Sequence, residues 1–472
     1  MKLQFYFTVI FSLTSILTRS QELSQLNVED IYKNLCASCH TSSAIGGSLK
    51  DGKWKYGGSD EEILHSIKNG ITEKGMVAYS SVLTDEQIRA IVVYIREMES
   101  TDSVESTELD ISDKVLETRY HTFKVETLTS GFRTPWSIAF LPDGSKLITE
   151  RLGPIHLISS DNRLDSIPIK NTPKVIFDGP EGGMMDIALH PDYEKNGWIY
   201  LAFADGWRDE MGKSWSQTAI VRGRIRDHQW IDQEWIYKSD LKFYMQSGAH
   251  YGTRIAFDDG YIYFVIGERG VMGHAQDLNR PNGKIFRLHD DGSIPKDNPF
   301  IETPEIPKGI WSYGHRNPQG LTIDSNHNVY ATEHGAQGGD EFNLIQKGKN
   351  YGWPIITHGI NYNGQPITSI TEKEGMEQPL VHWTPSIAPC GLTQYIGSLF
   401  PNWQNDFFVG SLRAQELHRL RVINKKVVDQ EIILKGIGRI RDVRTGPDGY
   451  IYLLTDEPAR LIRLVPSEKK GE

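Results

Sequence analysis

From about residue 120 onward, one short pattern recurs: a tight turn rich in Asp, Asn, Pro and Gly, followed by a run of β-branched and aromatic residues. Leu141-Pro142-Asp143-Gly144 leads into Lys146-Leu147-Ile148-Thr149-Glu150, and His190-Pro191-Asp192 into Trp198-Ile199-Tyr200-Leu201. Asp258-Asp259-Gly260 precedes Tyr261-Ile262-Tyr263-Phe264-Val265, and Asp324-Ser325-Asn326 precedes Val329-Tyr330-Ala331-Thr332. A weaker copy runs from Pro401-Asn402-Trp403 into Phe407-Phe408-Val409-Gly410, and the last from Gly446-Pro447-Asp448-Gly449 into Tyr450-Ile451-Tyr452-Leu453. Six copies at roughly 45–80-residue spacing predict an all-β six-bladed propeller with insertions between its blades. A β-sandwich with chance turn similarity would not spread six copies over the whole region.

The preceding segment has a different period. Val28, Ile31 and Leu35, then Ile63, Leu64 and Ile67, recur at helical spacing. Thr84-Asp85-Glu86-Gln87 reads as a capping box, after which Ile88, Ile91, Val92 and Ile95 line one helix face. This predicts a small all-α domain with too thin a core to stand alone, so it needs something to pack around. Cys36-Ala37-Ser38-Cys39-His40 supplies the reason. Two thiols two residues apart can add to the vinyl groups of a haem, and the adjacent imidazole then reaches the iron. A thioredoxin-like pair would need a βαβ context, and a zinc half-site would need further ligands nearby, where only His65 occurs. Met76, in a Gly-rich stretch before the final helix, is the expected sixth iron ligand, and Met98 is expected to pack. Helix, C-x-x-C-H, Met-bearing loop and last helix together resemble small class I cytochromes c. Cys390, far from the pair, reads as a buried small hydrophobe.

The first twenty residues begin with Lys2, are mostly apolar from Phe5 to Leu17, and end in Thr18-Arg19-Ser20. They read as a cleaved signal peptide that leaves no membrane span and implies a periplasmic or secreted protein. The expected organisation is signal 1–20, cytochrome domain 21–99, acidic linker 100–119 and propeller 120–472. A net charge of −10 argues against nucleic acid as a partner.

Four segments in the β-rich region mix charge with glycine outside any amphipathic pattern: 248–254, 314–320, 333–341 and 438–442. Arg316, Arg439 and Arg441 would form a cationic group able to hold several carboxylates, and Arg439 and Arg441 would face the same side of a strand. The segments Trp311 to Leu321, Asp291 to Pro299, and Glu341 to Pro354, with Gly348-Lys349-Asn350-Tyr351-Gly352-Trp353-Pro354, resemble the soluble glucose/sorbosone dehydrogenases. These are aldose sugar dehydrogenases dependent on pyrroloquinoline quinone (PQQ). The likeness runs from about Phe123 to Val465.

The resemblance implies site roles. His250 matches the general base. Arg316 and Asn317 match the pair at the quinone oxygens, and Arg439 and Arg441 match the arginines on the carboxylates of PQQ. Calcium is implied at the carbonyls of Gly335 and Ala336, and a structural calcium at Glu341 and Tyr351. Three positions depart from the family pattern: Glu181 stands for a Gln and Arg413 for a Lys, both near PQQ, and Glu268 stands for the Asp that orients the base. Trp383 could be a sugar-stacking surface or blade core. The implied activity is oxidation of an aldose or related alcohol to the lactone. Electrons would pass to the tethered haem c and then to an external acceptor, a cytochrome or the quinone pool. The alternatives are a calcium-dependent propeller lactonase, or a propeller that has lost PQQ and docks a partner for the cytochrome.

Overall fold

The computed structural model describes residues 27–40, 46–101 and 114–467. The expected signal segment and residues 102–113 of the expected linker lie outside the described residues. The chain folds as a six-bladed β-propeller preceded by a small helical region. The blades span residues 135–158, 184–237, 252–313, 318–383, 389–435 and 439–466. The last blade is completed by Thr122–Ser130, which pairs with Arg460–Pro466, so the two ends of the propeller close in one sheet. Leu116–Glu117, inside the stretch expected as linker, adds a short edge strand to that sheet.

Each recurrent run is the second strand of its blade: Lys146–Glu150, Ile199–Arg208, Tyr261–Ile266, Val329–Glu333, Phe407–Ser411 and Ile451–Asp456. These strands are buried almost throughout, as their uninterrupted apolar character requires. The innermost strands, Pro135–Phe140, Met184–Leu189, Gly252–Asp258, Pro318–Ile323, Pro389–Gln394 and Arg439–Thr445, neighbour one another around the axis. All six share one irregularity, a register shift within their first few residues. The shifts fall at Trp136, Met185-Asp186, Thr253-Arg254, Gln319, Gly391 and Arg441. Such bulges turn side chains out of the ladder and towards the axis.

The axis is polar. Arg254, 2% exposed, holds Asp186 at 3.2 Å and Asp442 at 3.0 Å, and its Nη2 donates to the carbonyl of Arg441 at 2.7 Å. Ser137 donates to both carboxylates, and Trp136 lies under the guanidinium. Burial alone would disfavour the charged Arg254, but Asp442 and Asp186 outweigh it and raise its pKa.

In the helical region, α1 (Val28–Ile31) runs into a π-turn over Tyr32–Cys36, and α2 (Asp60–Asn69) and α3 (Asp85–Thr101) follow. The expected cap of α3 is present. The Thr84 amide donates to Gln87 Oε1 at 3.0 Å, and the Gln87 amide donates to Thr84 Oγ1 at 3.3 Å. Ile88, Ile91, Val92 and Ile95 are buried as their spacing predicts, each worth about 1.5–3 kcal/mol of apolar burial.

The helical domain is seated on the propeller. Ile360 joins its core, the Val28 amide donates to the Gly364 carbonyl at 3.0 Å, and Ser369 donates to Glu86 at 2.9 Å. Among the described residues no helix is long and apolar enough to cross a membrane.

Candidate functional site

Strand direction alternates within each blade. The starts of the inner strands, the hairpins joining second to third strands and the crossovers between blades therefore all emerge on one face. His250 lies two residues before an inner strand, Arg316 and Asn317 immediately before another, and Arg439 begins a third. Glu181 lies three residues before an inner strand. Glu268, Gly335, Ala336 and Arg413 sit in second-to-third-strand hairpins. Topology alone brings residues 181 to 441 to one end of the axis.

His250 Nδ1 lies 2.5 Å from Glu268 Oε1; the imidazole is 17% exposed and the carboxylate 1%. Glu268, one methylene longer than the family's Asp, thus reaches the ring directly. The contact depends on Gly267, where a Cβ would lie 2.2 Å from the His250 carbonyl oxygen. His250 itself has a left-handed backbone (φ 53°), uncommon for a residue with a side chain and recurrent at functional sites. With Nδ1 on a carboxylate, Nε2 is left as the proton-accepting nitrogen.

Cationic groups converge beside it. His334 is pushed down to about 3 by burial and by the nearby charges of Arg316, Arg441 and His250. Arg151 is lowered to about 10, first by burial and then by Arg441, with Arg439 adding to the effect. These causes place Arg151, Arg316, Arg439, Arg441, His250 and His334 in one neighbourhood. Arg316 donates from Nη1 to the His334 carbonyl at 3.1 Å, while its Nε and that of Arg441 are buried without a hydrogen-bond partner. Arg439 has a long ion pair to Glu457, at 3.9 Å. The expected strand alternation of Arg439 and Arg441 is interrupted by the bulge at Arg441, although both guanidinium groups act on Arg151 and Asp456. Buried guanidinium nitrogens with no acceptor among the described residues suit a ligand that carries several anionic oxygens.

Asn317 is fully buried. Its Oδ1 accepts from the Gly252 amide and from Gln319, and its Nδ2 donates to Glu181 Oε1 at 3.1 Å. Glu181 also accepts from the Tyr251 amide at 3.2 Å. The departure at 181 is therefore a carboxylate fixed on the amide expected to face a quinone. Arg413 is engaged by Glu97 of α3.

Glu341 is half-buried, and its pKa is raised by desolvation and by the buried Glu333 beside it. Two neighbouring carboxylates of this kind are a fit for a hard cation. The Tyr351 phenol donates to the Leu344 carbonyl and accepts from the Gln346 amide, so its hydroxyl serves the fold and only its carbonyl is left as a ligand. The amide of Gly335 donates to Asp340, leaving its carbonyl for other use; Ala336 is buried beside it. Trp383 is 9% exposed in the blade core with Tyr330, Phe342 and Phe407, which settles its alternatives in favour of core. Cys390 is fully buried, as expected.

Cys36, Cys39 and His40 sit at the end of the first helical segment. Leu35, Leu49, Trp54, Leu64, Met76 and Tyr79 remain only half-buried against the small core. The Cys36 thiol is pushed up to about 11, by burial first and by Cys39. The His40 Nδ1 is buried without a partner. An open apolar cradle around a Cys pair and a His fits a flat hydrophobic macrocycle. Met76, bridged to Ile71 by backbone hydrogen bonds, lines that cradle, while Met98 packs on the core.

Arg151 and His334 were assigned no role from the sequence. Arg151 follows the recurrent strand Lys146–Glu150, and His334 lies within the glycine-rich segment 333–341, which were the available signals. Arg151 approaches the axis because Gly183 lets its carbonyl pass, where a Cβ would lie 1.8 Å from that oxygen.

The fold and site define a six-bladed propeller with a cationic cluster at one end of its axis, preceded by a helical domain that carries a C-x-x-C-H motif. The glucose/sorbosone dehydrogenase model matches residues 132–463, and the model of cbb3-type cytochrome c oxidase subunit III matches residues 25–95. The chain belongs to the glucose/sorbosone dehydrogenase family, as a sugar dehydrogenase with a cytochrome c domain. It is 40% identical over 354 residues to the aldose sugar dehydrogenase YliI of Escherichia coli, covering 73% of this chain and 93% of that protein. The crystal structure of the apo soluble aldose sugar dehydrogenase from E. coli superposes with a TM-score of 0.68 at 39% identity, covering 73% of this chain and all of that one. The PQQ-bound aldose sugar dehydrogenase of Streptomyces coelicolor does so at 0.58 and 28% identity, covering 73% of this chain and 98% of that one.

Proposed function

We propose that this protein oxidises an aldose sugar, or a related alcohol, to its lactone with PQQ bound at the propeller axis, and that the electrons leave through its own haem c. The observation that carries this reading is the convergence of Arg316, Arg441 and His250 on His334, next to the His250–Glu268 pair. A tricarboxylate cofactor answers the cationic cluster, and a substrate hydroxyl answers the histidine.

Arg151, Arg316, Arg439 and Arg441 would hold the cofactor, with Arg413 at the rim. Bound PQQ supplies a two-electron hydride acceptor. His250 takes the hydroxyl proton at Nε2, and Glu268 fixes the ring and stabilises the imidazolium that forms. The carbonyls of Gly335 and Ala336 would present oxygens to a calcium ion, and Glu341 with the Tyr351 carbonyl would hold a second, structural one. Cys36, Cys39, His40 and Met76 would hold the haem. The tether raises the effective concentration of this one-electron acceptor to about the mM range. The leader-like residues 1–20 support export to the periplasm or beyond.

The test is the haem α-band in purified protein after adding PQQ, calcium and a panel of aldoses. Haem reduction that requires both PQQ and a sugar supports the assignment. If PQQ does not bind, the propeller is a docking module; turnover without PQQ would favour a lactonase.

A further inference from the structure

The α3 helix does more than cover its own core. Val93 and Glu97, one turn apart on the same face, both reach the propeller rim. Val93 lies beside Gly338, where a Cβ would be 3.0 Å from it. Glu97 is 4% exposed. Its Oε1 accepts from the Ser386 amide at 2.9 Å, and its Oε2 pairs with Arg413. Arg413 Nη1 also donates to the Ser386 carbonyl at 3.2 Å, although its side chain is 40% exposed.

The loop so gripped is held from behind as well. The buried carboxylate of Asp340 accepts from the Ser386 hydroxyl at 2.6 Å and from the amides of Ile387 and Ala388 at 2.7 Å each. Its other oxygen takes the Gly335 amide at 2.8 Å. One residue further along, the Pro389 carbonyl meets His334 Nε2 at 3.0 Å. One loop thus separates Glu97 from the cationic cluster.

We propose that Glu97 is a positioning residue of the PQQ site, so that the cytochrome domain completes the site it serves; this rests on the PQQ reading above. A half-exposed arginine at the rim has many rotamers, and ordering it costs affinity. The buried carboxylate fixes the guanidinium before the cofactor arrives. A guanidinium has five N–H donors, enough to hold Glu97 from one edge and a cofactor carboxylate from another. Arginine suits the position because a lysine point charge cannot bridge two anions in a fixed plane.

The experiment is titration of metal-supplemented, PQQ-free holocytochrome with PQQ, followed by the optical spectrum of the bound quinone and by calorimetry. The variants are E97Q, E97A, R413A, E97A/R413A and, as an interface control, E86A, which removes the Ser369 contact and a local bond to Thr84 but touches neither Glu97 nor Arg413. PQQ affinity is expected to fall about tenfold in E97A and R413A and by no more in the double variant, because the two residues act as one unit. E97Q, whose single amide oxygen can accept from Ser386 or Arg413 but not both, should lie between, and E86A should match the parent. If E97A lowers haem content or melting temperature, E97Q paired with R413A gives the same cycle. Unchanged affinity in E97A and E97Q, or additive losses, overturns the role of Glu97 and leaves the PQQ assignment standing. Failure of the parent protein to bind PQQ overturns both.

Discussion

Replacing Arg254 by methionine would expose how the propeller axis is held. The side chain is enclosed, and its removal leaves Asp186 and Asp442, at 0% and 1% exposure, with Arg444 as their remaining cation beside the Ser137 hydroxyl and the amides of Ile138, Ile255 and Val443. Methionine fills much of the volume, so the cost is chiefly that of stranded charge. Breaking a buried ion pair on one side costs about 3–5 kcal/mol. Unfolding entropy near 2.1 cal/mol/K per residue over about 340 residues amounts to ~0.7 kcal/mol/K. The propeller transition should therefore fall by about 4–7 °C in calorimetry. Arg254 also donates to the Arg441 carbonyl, so PQQ uptake should weaken with it. R254K, which keeps the charge but not the fork, should fall between. A shift below ~1 °C would mean that Arg444, Ser137 and the backbone amides satisfy the two aspartates without Arg254, and would refute its role in the network.

Four further outcomes are expected. H250N should lower sugar-dependent haem reduction by about 10²–10⁴-fold while PQQ uptake persists; a rate within a few-fold of the parent would exclude His250 as the base. E181Q removes a carboxylate beside an anionic cofactor and restores the family's amide, so PQQ should bind more tightly, read by optical titration. C36A/C39A should yield a protein without haem on a denaturing gel but with an unaltered propeller transition. At the domain cleft, His358 stacks on His382 with centroids 3.7 Å apart, among Asp60, Glu61, Arg89, Arg96 and Glu99. His358 is held down to about 3 by burial, His382 and Arg89. The undocked form binds more protons below its ordinary pKa of about 6.5, so docking is fully favoured above that value and is lost as pH falls towards 3. Small-angle scattering should show the radius of gyration rising as pH drops from 7 to 4.5, and H358N should flatten the change.

The second strand of every blade was legible because it sits between two others and is apolar without interruption, as in Tyr261–Ile266. The inner strands were hidden by their own function. Trp136-Ser137, Met185-Asp186, Thr253-Arg254 and Arg441-Asp442 place polar groups on bulges that face the axis, which breaks the alternation a strand normally shows. His250 and Glu268 were legible through the family resemblance, and the structure places them in contact. His334 lies in a segment the sequence marks but without a role of its own, and Arg151 and Glu97 are unmarked, because each acquires its meaning from a residue on another blade or another domain. Glu97 in sequence is one of several acids along an amphipathic helix, and nothing local separates it from Glu99.

The domain contacts described all fall on blades 4 and 5, at residues 338, 360–369, 386 and 413. His250 and Glu268 belong to blade 3 and Glu181 to the segment entering blade 2, further round the same axis. A propeller sends all such loops to one face, so a domain added there competes with substrate for access unless it is held to one side. The Glu97–Arg413 pair and the Asp340-braced loop do that. They fix the cytochrome over the rim nearest Gly335, and in the proposed reaction the approach to His250 is left to the sugar. Substrate entry and electron exit, in the proposed reaction, are thereby divided around a cofactor site that both borders share.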